Sequence, residues 1–415
     1  MSRSTLSRRD FLLRTCAGCA GLLAGGTLLA GPERFARLLP GAAPALAAGD
    51  PLDELIRRAP RARYWSASTS AECGDCHAKG TLAAGAKPAH ERLVVRCRLC
   101  ARGCTMAEGE RGMCRARIVA NGELKSLVYG RPMAVHVDPI EKKPFFHFLP
   151  GAAAYSIATS GCPLRCKFCQ NWEISQARPE DYAQAPVPPA DLARAAVARE
   201  APVIAFTYNE PTVFTEYLTD VARAGKPLGR RAALVSCGYM NPEPLAEMCS
   251  VLDAVKIDLK GFSEPFYRDV CGAELKPVLR SIRQVAKSRT HLEIVNLVVP
   301  TLNDSPPMLT ELSKWVAGEA GPDVPLHFTR FHPDYQLPNL PPTPVATLER
   351  ARDIALKQGL RYVYVGNVPG HPGNHTWCPK CGKAVVERDG MFVTGMHLKD
   401  GRCGFCNQPI PGVWS

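Results

Sequence analysis

The chain has 415 residues, 46% of them apolar, which is enough for one sizeable core plus small attachments. Its formal charge is +12, of which Arg3, Arg8, Arg9, Arg14, Arg34 and Arg37 against Asp10 and Glu33 place +4 in the first 47 residues, leaving +8 for the rest. That remainder is modest and forms no basic stripe with interleaved aromatics, which argues against a nucleic-acid partner. The 18 cysteines fall mostly into close groups, which points to metal sites and not to a disulfide framework.

Residues 1–47 read as an export signal. Ser7-Arg8-Arg9-Asp10-Phe11-Leu12 is a twin-arginine motif, a Gly/Ala-rich apolar run follows at 17–31, and Ala45-Leu46-Ala47 offers a small-x-small cleavage site. The run is too short and too glycine-interrupted for a stable membrane span, and neither Cys16 nor Cys19 follows a lipobox. The twin-arginine route carries folded proteins. The expectation is therefore a cofactor assembled in the cytoplasm and a mature protein in the periplasm or cell envelope.

Residues 48–92 read as a linker carrying Cys73-Gly74-Asp75-Cys76-His77. This is the C-x-x-C-H pattern of c-type haem attachment, with Met106 and His90 as candidate second ligands. The polar surroundings offer little core to bury a haem, and a zinc site using His77 or His90, or an unoccupied pair, are rivals.

Residues 93–150 form a four-cysteine module, Cys97-x2-Cys100-x3-Cys104-x9-Cys114. Four thiolates with intervening glycines can close around one tetrahedral metal or one cluster. The spacing fits no single metal, so zinc and an auxiliary iron–sulfur cluster both stay open.

Residues 151–370 alternate short β-branched runs with amphipathic stretches. Strands are predicted at 154–159, 203–208, 232–237, 254–259, 292–299, 326–331 and 362–365. Helices are predicted at 189–199, 211–224, 242–252, 275–288, 308–317 and 345–358. The pattern predicts an α/β fold, a partial (β/α)6-type barrel, with chemistry gathered at the C-terminal ends of its strands. The informative residues fall there. After the first strand comes Cys162-x3-Cys166-x2-Cys169 on a tight loop. Three thiolates this close suit soft metals, above all an iron–sulfur cluster, and three ligands on four irons leave one iron open for chemistry.

Asn209 and Glu210, after the second strand, put an amide and a carboxylate where they could grip an ammonium group, or cap a helix that starts at Pro211. In Lys256-Ile257-Asp258-Leu259-Lys260 the charged residues alternate onto one strand face, which an enclosed interior tolerates only with polar partners. Asn296 and His332 are further candidates for the mouth.

Residues 371–415 contain Cys378-x2-Cys381 and Cys403-x2-Cys406, with a hairpin signal at Asp389-Gly390 between them. This is a zinc-ribbon-like arrangement, and a segment this small needs such a staple. A rubredoxin-like iron is the minority reading.

The Cys162 loop resembles the signature of radical S-adenosylmethionine (SAM) enzymes. The resemblance implies a [4Fe-4S] cluster on Cys162, Cys166 and Cys169, SAM on the open iron, and Phe168 near the adenine. It also implies that Asn209 or Glu210 meets the SAM amino group, although that family often has Gly-Gly-Glu there. Asp258-x-Lys260 resembles the D-x-K motif of glycyl-radical-enzyme activases, which contacts SAM. A longer set covers roughly residues 93–415: Asp138-Pro139-Ile140-Glu141-Lys142-Lys143-Pro144, His147-Phe148-Leu149-Pro150-Gly151, Gln170-Asn171-Trp172-Glu173-Ile174-Ser175-Gln176, Tyr208-Asn209-Glu210-Pro211, the early four-cysteine group and the terminal knuckles. These look like the AmmeMemoRadiSam-system radical SAM enzymes, relatives of pyruvate formate-lyase activating enzymes.

The family implies reductive cleavage of SAM to a 5′-deoxyadenosyl radical, a flavodoxin- or ferredoxin-like reductant, and association with Memo and AMMECR1 proteins. It names no substrate. A glycyl-radical-enzyme activase and a non-enzymatic metal-binding redox module are the competing readings.

Overall fold

A computed structural model describes residues 50–70, 92–182 and 185–415. The twin-arginine segment, with Cys16 and Cys19, and the Cys73, Cys76, His77 and His90 group lie outside them. No helix among the described residues is long and apolar enough to cross a membrane.

The N-terminal part opens with helix α1 (Pro51–Arg58) and strand β1 (Trp65–Ser70), which pairs antiparallel with β2 (Arg92–Cys97); β2 pairs with β3 (Thr105–Met106). This corrects the expected linker. Leu52, Leu55 and Ile56 give α1 an apolar stripe that packs on Ile118 and Leu127, so the segment has a core of its own to join. Strands β4 (Arg117–Ala120) and β5 (Glu123–Ser126) form a hairpin across Asn121-Gly122, both in the left-handed region that a two-residue hairpin turn requires. The module is fastened to the rest by a bridge from Cys100 to Met240 and by the Asn241 amide, which donates to the carbonyls of Arg98 and Cys100.

The central sheet runs β6 (Ala134–Pro139), β7 (Ala153–Ala158), β8 (Val203–Phe206), β9 (Arg231–Ser236), β10 (Ala254–Asp258), β11 (His291–Val298), β12 (Leu326–Arg330) and β13 (Val363–Gly366), in sequential order. Strands β7 to β13 are parallel, linked by six crossovers, and β6 is an antiparallel edge that the sequence pattern did not reveal. The helices are α2 (Pro189–Ala198), α3 (Thr215–Gly225), α4 (Pro242–Val251), α5 (Leu275–Ala286), α6 (Pro306–Glu319) and α7 (Val345–Lys357). Packing of α2 on α3, α3 on α4, α4 on α5 and α6 on α7 lines them up along one face.

The N-terminal ends of the strands carry small residues, Ala154, Ala205, Ala233 and Ala254. Phe145 and Phe148 from the preceding loop fill the space these leave. Burying two such rings contributes roughly 3–6 kcal/mol and closes that end of the sheet.

The C-terminal part holds β14 (Thr376–Trp377), β15 (Ala384–Asp389) and β16 (Phe392–Met396) as one sheet, and β17 (Leu398–Lys399) with β18 (Arg402–Cys403) as a second. Its hairpin is the one signalled at Asp389-Gly390. It docks through Arg388, which is fully buried. The Arg388 guanidinium donates to the carbonyl of Phe146 (2.7 Å) and the hydroxyl of Thr376 (2.9 Å), lies 4.2 Å over the Phe146 ring, and faces Glu141 at 3.6 Å.

Candidate active site

The Cys162 loop leaves the C-terminal end of β7 and is held from all sides. Gly161 N–H donates to Ile174 O, Arg165 N–H to Cys271 O, Lys167 N–H to Val270 O and Cys169 N–H to Cys166 O, at 2.9–3.1 Å. Gln336 N–H reaches Lys167 O at 2.9 Å, and Tyr335 stacks on Trp172 with centroids 5.3 Å apart. Arg102 of the N-terminal module donates to Pro163 O at 2.8 Å. A loop with this many fixed backbone groups presents its three sulfurs preorganised.

Burial pushes the Cys162 thiol well up, and the Glu210 carboxylate adds to the shift. A bare thiolate is therefore disfavoured there. Cys166 behaves oppositely. A hydrogen bond with the Cys271 thiol holds it below its ordinary value against burial, and Lys260 helps.

Among the described residues, only Cys378, Cys381, Cys403 and Cys406 gather three or more potential ligand atoms within 4.8 Å of one another. A single ion with metal–sulfur bonds of about 2.3 Å needs tetrahedral sulfurs about 3.8 Å apart. The C-terminal four match that spacing, with Cys378 and Cys406 sulfurs at 3.5 Å and Cys381 and Cys403 at 3.7 Å, so the group can bind one metal. The Cys162, Cys166 and Cys169 sulfurs do not form such a group; three cysteines on one loop suit an iron–sulfur cluster more than a single ion.

Asp258 and Lys260 sit at the end of β10, beside this loop. Lys260 Nζ lies 3.2 Å from Asp258 Oδ2 and 5.6 Å from the centre of the Phe168 ring, which itself stacks near Phe266. Lys256 Nζ is 3.5 Å from Asp258 Oδ1. Burial alone would raise the Asp258 carboxyl, but Lys260 and Lys256 hold it below the usual range. Burial favours neutral Lys256, whereas Lys260 is held charged against burial, by Asp258 first.

Asn296 donates to Leu259 O at 2.7 Å. Asn296 Oδ1 is buried without a hydrogen-bond partner, and Asp258 Oδ1 has only the Lys256 ammonium, at 3.5 Å. Buried acceptors left short of donors are costly unless a ligand supplies them, and the ammonium and ribose hydroxyls of SAM are donors of the right kind. The residues present therefore fit both cofactors.

The structure gives Asn209 and Glu210 internal work. Asn209 Nδ2 donates to Gly161 O (2.9 Å) and Thr159 Oγ1 (3.3 Å), so it braces the cysteine loop. Glu210 caps the 3-10 turn at Pro211–Phe214. Its Oε1 accepts from Thr212 N–H (3.1 Å), the Thr212 hydroxyl and Ser236 Oγ (2.7 Å), and its Oε2 accepts from Cys237 N–H (2.8 Å). Of the two caps anticipated for a helix starting at Pro211, Asn209 or Glu210, the structure uses Glu210. His332 is exposed on the loop after β12.

Sequence reasoning missed Cys237 and Cys271, which are both buried against this site. Cys271 closes a π-helical segment, Tyr267–Cys271, and is followed by Gly272 with φ +62°. π-helical turns concentrate at functional sites, but no residue pattern marks this one. A polar row also continues into the interior. Lys256 is the register partner of Glu293, which accepts from His327 (2.6 Å), while Asp138 binds Lys143 (2.5 Å) and Tyr208. Burial lowers Lys143 to about 8.

Residues 156–311 match the Radical SAM superfamily. Uncharacterized protein MJ0808 of Methanocaldococcus jannaschii is 42% identical over 318 residues, 76% of this chain and 95% of that protein. Among solved structures, a domain of pyruvate-formate lyase-activating enzyme from Bacteroides vulgatus is 18% identical over 39% of this chain and 98% of its own, with a TM-score of 0.36. A radical SAM methyltransferase from Sphaerobacter thermophilus is 14% identical over 53% of this chain and 68% of its own, with a TM-score of 0.43.

Proposed function

The chain belongs to the family of the M. jannaschii protein and carries a radical SAM superfamily domain, and from that premise we propose that it is a radical SAM enzyme acting through the Cys162 loop. The observation that carries the reading is the pairing, at one end of the sheet, of three preorganised cysteines with the under-satisfied buried acceptors Asn296 Oδ1, which has no partner, and Asp258 Oδ1, which has only Lys256 at 3.5 Å. Cys162, Cys166 and Cys169 would hold the cluster. Asp258 and Asn296 would accept donors of SAM, Lys260 would fix Asp258, and Phe168 would bound the adenine side. When bound, the [4Fe-4S] cluster supplies the electron that cleaves SAM to a 5′-deoxyadenosyl radical, which abstracts hydrogen from the substrate. The chain's own contribution is to hold the loop, exclude water with the Phe168 and Phe266 rings, and line the interior with Lys256, Glu293 and His327.

The residue resemblances further support a pyruvate formate-lyase activase-like subtype within an AmmeMemoRadiSam system, with Memo and AMMECR1 proteins as partners and a flavodoxin- or ferredoxin-like donor of electrons. The terminal four-cysteine group would hold structural zinc. Export by the twin-arginine route is part of the proposal; Arg8→Lys with Arg9→Lys should leave the precursor in the cytoplasm, iron included, on fractionation.

The central test is anaerobic. Reconstituted protein with SAM and dithionite should release 5′-deoxyadenosine, and Cys166→Ala should abolish it. Undiminished release by that variant would overturn the assignment.

A further inference from the structure

The four cysteines of the N-terminal module are arranged unlike the four at the C-terminus. No three of their sulfurs come within 4.8 Å of one another. Cys97, Cys100, Cys104 and Cys114 instead bound a cavity of about 20 Å³. A single ion bonded to four sulfurs at about 2.3 Å leaves no such void, since the sulfurs then touch. A void able to admit a water, for which about 10–15 Å³ suffices, calls for polar partners if water is to fill it. Here four sulfurs surround it, with Leu99 and Met106 on the wall.

One further observation points to an occupant. Arg117 also lines the cavity and is only 1% exposed. Its terminal nitrogens are bonded to Glu216 (2.5 Å) and Arg63 O (2.8 Å), but its Nε is buried without a partner. A buried N–H beside four cysteines is a donor for an inorganic or cysteinyl sulfur, one of the groups that sets the properties of iron–sulfur centres.

We propose that Cys97, Cys100, Cys104 and Cys114 bind a second iron–sulfur cluster, with Arg117 Nε–H donating to one of its sulfurs. The site is distinct from the Cys162 site but shares a wall with it. Pro163 and Thr212, from the loops that build the first site, face the same cavity, and the Cys114 carbonyl packs directly on Gly161.

The test separates the two sites by stoichiometry. The full chain is purified anaerobically, and iron, acid-labile sulfide and zinc are counted in wild type and in a Cys162→Ala/Cys166→Ala/Cys169→Ala variant. The proposal expects the variant to keep about two to four irons with equal sulfide, together with about one zinc. A variant without iron that carries about two zincs overturns it. If the variant does not fold, wild type decides: about six to eight irons support a second cluster, and about four irons with two zincs refute it. Arg117→Met should keep the iron but shift the cluster's reduction potential, whereas an unchanged potential would remove Arg117 from the proposal. Failure of SAM cleavage in wild type would count against the first site alone, because the retained iron is read in a protein that lacks it.

Discussion

Gly161→Ala isolates the contact between the N-terminal module and the cysteine loop. Gly161 has φ +95°, which costs a residue with a Cβ about 1–3 kcal/mol. A Cβ there would lie 2.2 Å from the Cys114 carbonyl oxygen, so the two segments must part by roughly 1 Å to reach ordinary contact. That movement strains two hydrogen bonds at 2.9 Å, Gly161 N–H to Ile174 O and Asn209 Nδ2–H to Gly161 O, worth about 1 kcal/mol each. The local penalty is then about 3–5 kcal/mol, or about two to three and a half decades in the retention of iron by the Cys162 loop. Anaerobic competition against a chelator, with 5′-deoxyadenosine release as a second readout, measures it. Gly229→Ala is the control: its φ is +70° with nothing within 4 Å, so it carries backbone strain of about 1 kcal/mol without a clash and should leave iron binding unchanged. Iron retention by Gly161→Ala within about twofold of wild type would refute the reasoning.

Asp258→Asn should keep the iron yet weaken SAM binding by about tenfold or more in anaerobic calorimetry, because an under-satisfied buried acceptor loses its charge; unchanged affinity removes Asp258 from the SAM site. Cys403→Ser should lose one metal equivalent and expose residues 371–415 to protease while SAM cleavage persists; full metal content in the variant sinks the four-sulfur assignment. Arg388→Ala leaves Glu141 buried without its cation and should destabilise the protein by about 3–5 kcal/mol, with partial recovery when Glu141→Gln is added. A cost below about 1 kcal/mol would show that the docking does not depend on that pair. Burial depresses His147 to about 3, and Nδ1–H donates to Pro411 O (2.5 Å) in its neutral form. The unfolded chain therefore binds the proton first, and stability is lost as pH falls from 6.5 toward 3, by about 1.4 kcal/mol per pH unit. Thermal midpoints across that window should flatten in His147→Gln; an equally steep profile in the variant would contradict this.

The parallel strands and most helices were legible because their signals are local. Buried β-branched runs such as 203–206 and 254–258 can do little but enter a sheet, and Pro189 and Pro242 mark helix starts. The gathering of Cys378, Cys381, Cys403 and Cys406 into a group that can bind one metal was legible for the same reason, since each C-x2-C pair brings its sulfurs together whatever the rest of the chain does. Side-chain alternation also placed Asp258 and Lys260 together at a strand end.

What followed from tertiary structure alone was the partner of each group. The sequence left Asn209 and Glu210 equally suited to a cofactor or to a cap, and only the neighbouring strands reveal that Asn209 braces Gly161 and Glu210 binds Ser236 and Cys237. Cys271 lies 105 residues beyond Cys166, and no periodicity connects them; the sheet order does. Both four-cysteine groups read from sequence as able to close around one metal, yet one closes to 3.5–3.7 Å across its sulfur pairs and the other stays open around a cavity. Ligand spacing limits which sulfurs can meet, but the distance at which they stop is set by the packing behind them, here Arg117, Met106 and Pro163 on one side and the apolar cluster around Tyr362 and Val385 on the other.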